Sequence, residues 1–131
     1  MSFDYFSKQL RDDENRDILL YYAGMFEPFE DLIGSAFVGS QPGSKDNDSN
    51  VRQFLGFVIY SETSRMPDDG LYIDVYPDGV VLVVDRCSYP DPNSNEPIVN
   101  AEEHFTTIPI ILNWLRSQPP KIHAYLKQTK V

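Results

Sequence analysis

From Ile18 onward the apolar residues fall three and four apart, at Ile18, Tyr22, Met25, Phe29 and Leu32, with Leu19, Phe26 and Ile33 beside them. That spacing draws one apolar stripe along a helix. Asp12, Asp13, Glu14 and Asp17 stand at its start, where the helix dipole favours negative charge. Pro28 interrupts the pattern, so two helical pieces are expected, 13–26 and 28–37, the second opening on the proline. Residues 39–50 are all polar, Gly or Pro and predict a mobile loop.

The period then changes. Residues 54–61 are almost continuously apolar, as in a strand covered on both faces. From Leu71 to Tyr76 the pattern alternates, and Val80 to Val84 forms a β-branched run that continues to Cys87. Pro77-Asp78-Gly79 joins these two strands. Pro presets φ at the second turn position, Asp tolerates the third, and Gly takes the left-handed one. The register follows: Val75 opposite Val81, Ile73 opposite Val83, Leu71 opposite Asp85. One face of the hairpin is then Leu71, Ile73, Val75, Val81 and Val83. The other is Tyr72, Asp74, Tyr76, Val80, Leu82 and Val84. Both are too apolar to be left fully wet, and one layer of helices covers only one of them.

A second loop, 88–97, precedes a fourth strand candidate, 97–105, which Glu102-Glu103 marks as an edge. Thr107 can cap the next helix, whose stripe is Ile108, Ile111, Leu112 and Leu115 with Trp114 at its flank. Pro119-Pro120 ends it, and a short helix is expected at 121–127. The fold class is α+β: an antiparallel meander of three or four strands packed by N-terminal and C-terminal helices, in a single domain over residues 1–131.

Composition narrows the function. Twenty acids against eleven Lys and Arg give a net charge of −9. Residues 1–50 hold ten acids and four bases, residues 51–100 eight and three, so the first hundred carry −11. Such a field disfavours nucleic acid and anionic membrane as direct partners. No apolar run reaches the ~18 residues of a membrane helix, and the opening residues lack the character of a signal peptide. The expected compartment is the cytoplasm. A single cysteine excludes an internal disulfide framework.

Little of the remaining chemistry converges. The acidic run 46–50 resembles the opening of a calcium loop, but Val51 stands where the sharp turn needs Gly, and Phe57 where a bidentate Glu must close the site. His104 and His123 have no ligand spacing around them, and neither a metal nor any other cofactor is expected. Cys87, Asp85 and His104 can share one face of neighbouring strands, yet no local signature marks a nucleophile, and Cys87 reads as a buried structural thiol. Asp74 and Asp85 lie on opposite hairpin faces and cannot act as a pair. Asp68-Asp69 reads as a solvated turn. The glycines form no phosphate cradle. An enzyme is therefore disfavoured.

The aromatic residues are interleaved with acids, as in Tyr72-Ile73-Asp74-Val75-Tyr76, rather than with Lys and Arg. This pattern suits a surface that binds a basic protein. Partner contact is expected from Tyr72, Asp74 and Tyr76, together with Asp13, Glu14 and Asp17. In size, charge and class the chain resembles small intracellular inhibitors in general, immunity proteins that neutralise a toxin among them. The alternatives are a small-molecule binder or enzyme with a pocket between sheet and helices, lined by Tyr60, Tyr72, Cys87 and His104, and an acidic mimic of nucleic acid. Self-association through a sheet edge is a further expectation.

Overall fold

The computed structural model describes residues 5–41, 52–59 and 69–117. Two helices lead, α1 (Tyr5–Gln9) and α2 (Arg16–Phe26), followed by a 3-10 turn, Glu27–Phe29. Five strands come next: β1 (Ser35–Gln41), β2 (Arg52–Ile59), β3 (Gly70–Val75), β4 (Val80–Tyr89) and β5 (Ile98–Thr107). Helix α3 (Ile108–Arg116) leaves directly from the last strand. The strands form one antiparallel sheet in the order β1-β2-β3-β4-β5, so each pairs with its chain neighbour. The class is α+β with a meander sheet, and the sheet has five strands rather than three or four.

The extra strand is β1. It takes the last three residues of the helix expected over residues 28–37; of the rest, only a 3-10 turn, Glu27–Phe29, forms around Pro28. The Gly34 N–H donates to the Val58 carbonyl at 2.8 Å, and pairing with β2 begins there, Ser35 opposite Val58. Gly39 to Gln41, expected in the following loop, continue that strand. Helix α1, which no sequence pattern predicts, is tied down from outside itself. Arg16 donates to the carbonyls of Ser7 at 2.5 Å and Leu10 at 2.6 Å, which a helix C-terminus leaves open. The helix expected at 121–127 lies outside the described residues.

The core lies between the sheet and its helices. Leu55, Phe57, Ile73, Val75, Val81 and Val83 bury one sheet face under Phe6, Leu19, Phe26, Ile111 and Leu115. The Phe26 ring stacks on Phe57 with centroids 4.6 Å apart, and Phe6 meets Phe57 edge-on at 5.8 Å. All three described helices thus cover the same face. Thr107 is the N-cap of α3 as expected, though its side chain makes no capping bond.

Candidate functional site: the open face of the sheet

The turn at Pro77-Asp78-Gly79 fixes this face. The Gly79 N–H donates to the Tyr76 carbonyl at 2.9 Å and the Tyr76 N–H to the Val80 carbonyl at 3.0 Å, with Gly79 at φ 86°. The register is Leu71 opposite Asp85, Ile73 opposite Val83 and Val75 opposite Val81. Tyr72, Asp74 and Tyr76 therefore point away from the helices. No described helix covers them.

Cross-strand pairing extends the row. Gly56 lies between Phe37 and Asp74, and Asp74 between Gly56 and Leu82, which in turn faces Phe105. The Phe37 ring lies over Gly56 and the Phe54 ring over Gly39, each filling the space a Cβ would take. Phe54 sits 5.1 Å from Tyr76, ring to ring, and the Arg52 guanidinium stands 5.5 Å from the Tyr76 centroid. Phe105, at the far side, is 71% exposed. A hollow of about 190 Å³ lies among Arg52, Tyr76, Asp78, Val80, Leu82 and Phe105.

Phe37, Phe54 and Phe105 belong to this surface, and sequence reasoning misses all three as site residues. The helical pattern over 28–37 takes in Phe37 and gives it no partner on a sheet. The available signal is the pair of glycines, Gly39 and Gly56, each flanked two residues away by Phe. A glycine in a strand marks a close approach, here by an aromatic ring.

Asp74 sits among these rings. Burial pushes its carboxyl up from the ordinary 3.8 to about 6. Burial also raises the Tyr76 phenol, with the Asp74 charge adding to it and Arg52 opposing. At the rim, Arg52 and Asp78 form an ion pair at 2.9 Å, and the hydrogen bond from Arg52 lowers the Asp78 carboxyl.

Of the six residues expected to contact a partner, the structure brings together three, Tyr72, Asp74 and Tyr76. Asp13, Glu14 and Asp17 lie around the start of α2, on the helical side of the sheet. Among the described residues of the open face, Asp74, Asp78 and Glu103 are set against Arg52 and Arg86.

The residues expected to line a pocket divide as well. A groove of about 300 Å³ does open between α3 and the sheet, with Leu71, Asp85, Glu102, His104 and Trp114 in its wall. Tyr72 faces the other way, and Tyr60 lies outside the described residues, as do His123 and the acidic run 46–50. Cys87 is exposed on β4 rather than buried. Its strand partner is Asn100, while His104 pairs with Val83, so thiol and imidazole are not cross-strand neighbours. Among the described residues no three His, Cys, Asp or Glu side chains gather as a metal site would require. No helix among them is long and apolar enough to cross a membrane.

Asp69 corrects the reading of a solvated turn. It is 1% exposed, and its Oδ2 accepts the Ser88 N–H at 3.0 Å. The carboxylate anchors the end of β4 from the residue before β3.

The chain matches no known family model, no curated protein and no solved structure. Function must be argued from the surface itself.

Proposed function

We propose that the protein binds a basic protein partner on the open face of its sheet, as an inhibitor or neutralising protein does. The reading rests on one arrangement: an aromatic surface of Phe54, Tyr72, Tyr76 and Phe105 with the Asp74 carboxylate inside it. Aromatic side chains anchored among apolar neighbours provide most of the binding energy in a protein interface. A carboxylate held there at a desolvation cost recovers that cost when a Lys or Arg of the partner reaches it.

The test separates a binding face from a core face. Tyr76→Ala is expected to cost on the order of 1 kcal/mol in urea unfolding, since its ring is half-buried, and to abolish capture of a basic protein from cell extract. A loss of several kcal/mol would mark the ring as core and end the proposal. A second reading, a small-molecule pocket, is favoured by the groove at His104 and Trp114. It would be carried by a metabolite retained through native purification and released on denaturation.

A further inference from the structure

Strand β5 ends the sheet, and nine of its ten residues are exposed, Thr106 being intermediate. The opposite edge, β1, is half-buried beside α1. The bond from the Tyr76 N–H to the Val80 carbonyl fixes the hydrogen-bonding phase of the sheet. By alternation, Asn100, Glu102 and His104 bond inward to β4. The N–H and C=O groups of Val99, Ala101, Glu103 and Phe105 point outward. Natural edge strands are kept from unwanted pairing by shortness, bulges, proline or charged side chains, and the charges here are Glu102 and Glu103. This one runs for ten residues with no proline inside it.

We infer that β5 is a docking edge, and that an extended basic segment of a partner protein adds to it as a sixth, antiparallel strand. Glu102 and Glu103 stand mid-strand and point to opposite faces of the sheet. Glu102 lies opposite Asp85, and neither carboxylate has an ion pair or hydrogen bond among the described residues. An incoming residue opposite Glu102 occupies a non-hydrogen-bonded position, where side chains approach most closely. A Lys or Arg there meets two carboxylates, with the exposed indole of Trp114 in the same groove wall. On the open face, the incoming side chains beside Glu103 and Phe105 continue the aromatic surface.

The same charges reject a second copy of the chain. Outward-bonding residues must pair with each other, so two-fold pairing over nearly the whole strand has two registers. One sets Glu102 directly opposite its own copy, the other Glu103. Like charges directly opposite are destabilising.

This inference rests on the reading of the protein as a binder of basic partners, and the two can fail separately. The probe is a synthetic peptide as long as β5 with two adjacent Lys at its centre, one for each glutamate, flanked by Val and Thr, and its binding is read by amide hydrogen exchange of the full chain. Protection is expected at Val99, Ala101, Glu103 and Phe105 and unchanged exchange at Asn100, Glu102 and His104. A peptide with Glu in place of Lys, or one N-methylated on the amides facing β5, should give none. Glu102→Lys with Glu103→Lys should weaken the Lys peptide about tenfold or more, since two cross-strand charge pairs are reversed. Uniform protection, or none at millimolar peptide, overturns the docking edge. If a captured basic protein still depends on Tyr76, the binder reading survives that result. Equal pairing of the Lys and Glu peptides overturns the basic preference. Concentration-dependent dimerisation of the free protein, lost in the double Lys variant, overturns the choice of occupant.

Discussion

Asp74 keeps its proton to about pH 6 in the folded chain, whereas the unfolded chain releases it near the ordinary 3.8. Between those values the folded state binds more protons, so stability falls as pH rises across this window and stays low above it. The whole shift corresponds to about 3 kcal/mol, which solvent screening of a partly exposed carboxyl reduces to on the order of 1–2 kcal/mol. Asp74→Asn should therefore raise stability at neutral pH by about 1 kcal/mol and flatten its fall between about pH 4 and 6. Urea midpoints measured across that range check it; an unchanged slope would place the cause in another group. Asp74 is legible in the sequence because the alternation from Leu71 to Tyr76 fixes which way it points. Asp69 is not. Its neighbours Asp68 and Gly70 look like a turn, and the Ser88 N–H that explains its burial is nineteen residues away.

The β3–β4 hairpin is the element whose structure its own residues determine. A turn that needs a left-handed third residue has Gly79 there, and the flanking alternation admits one register. Gly79→Val should cost at least ~1 kcal/mol, because a β-branched side chain resists positive φ. Thermal or urea unfolding gives the answer, and an unshifted midpoint would show that the turn tolerates the strain. Elements held by distant partners are harder to read. Residues 35–37, Ser-Ala-Phe, continue the apolar stripe of α2 closely enough to pass for helix, while their partners Val58, Phe57 and Gly56 stand far along the chain in β2. Helix α1 depends on Arg16 and on Phe6 packing against Phe57. Neither contact leaves a local pattern. Strand β5 is legible as an edge because two adjacent glutamates cannot sit mid-strand on faces that are both buried.

Taken as a whole, the molecule sets the acids of its first helices on one side of the sheet and the proposed binding face on the other. The acids around the start of α2 lie in the helical layer, and Tyr72, Asp74 and Tyr76 lie on the other side of the sheet, so a partner seated on the open face does not touch Asp13, Glu14 or Asp17. On the proposed reading, those residues act on a partner through the field of a chain that carries −9. Fields of this kind speed the encounter, and contacts set how long the complex lasts. The triple substitution Asp13→Asn, Glu14→Gln and Asp17→Asn removes three acids and takes the net charge from −9 to −6. With a captured basic partner on a biosensor, that variant should associate several-fold more slowly at low salt and dissociate at the original rate. The difference should vanish at high salt, where the Debye length falls to about 3 Å. Tyr72→Ala should do the reverse, hastening dissociation with little change in association. If the α2 variant also hastens dissociation, the partner reaches round the sheet to the helical layer. The edge of β5, with one glutamate on each face, is then the natural path between the two sides.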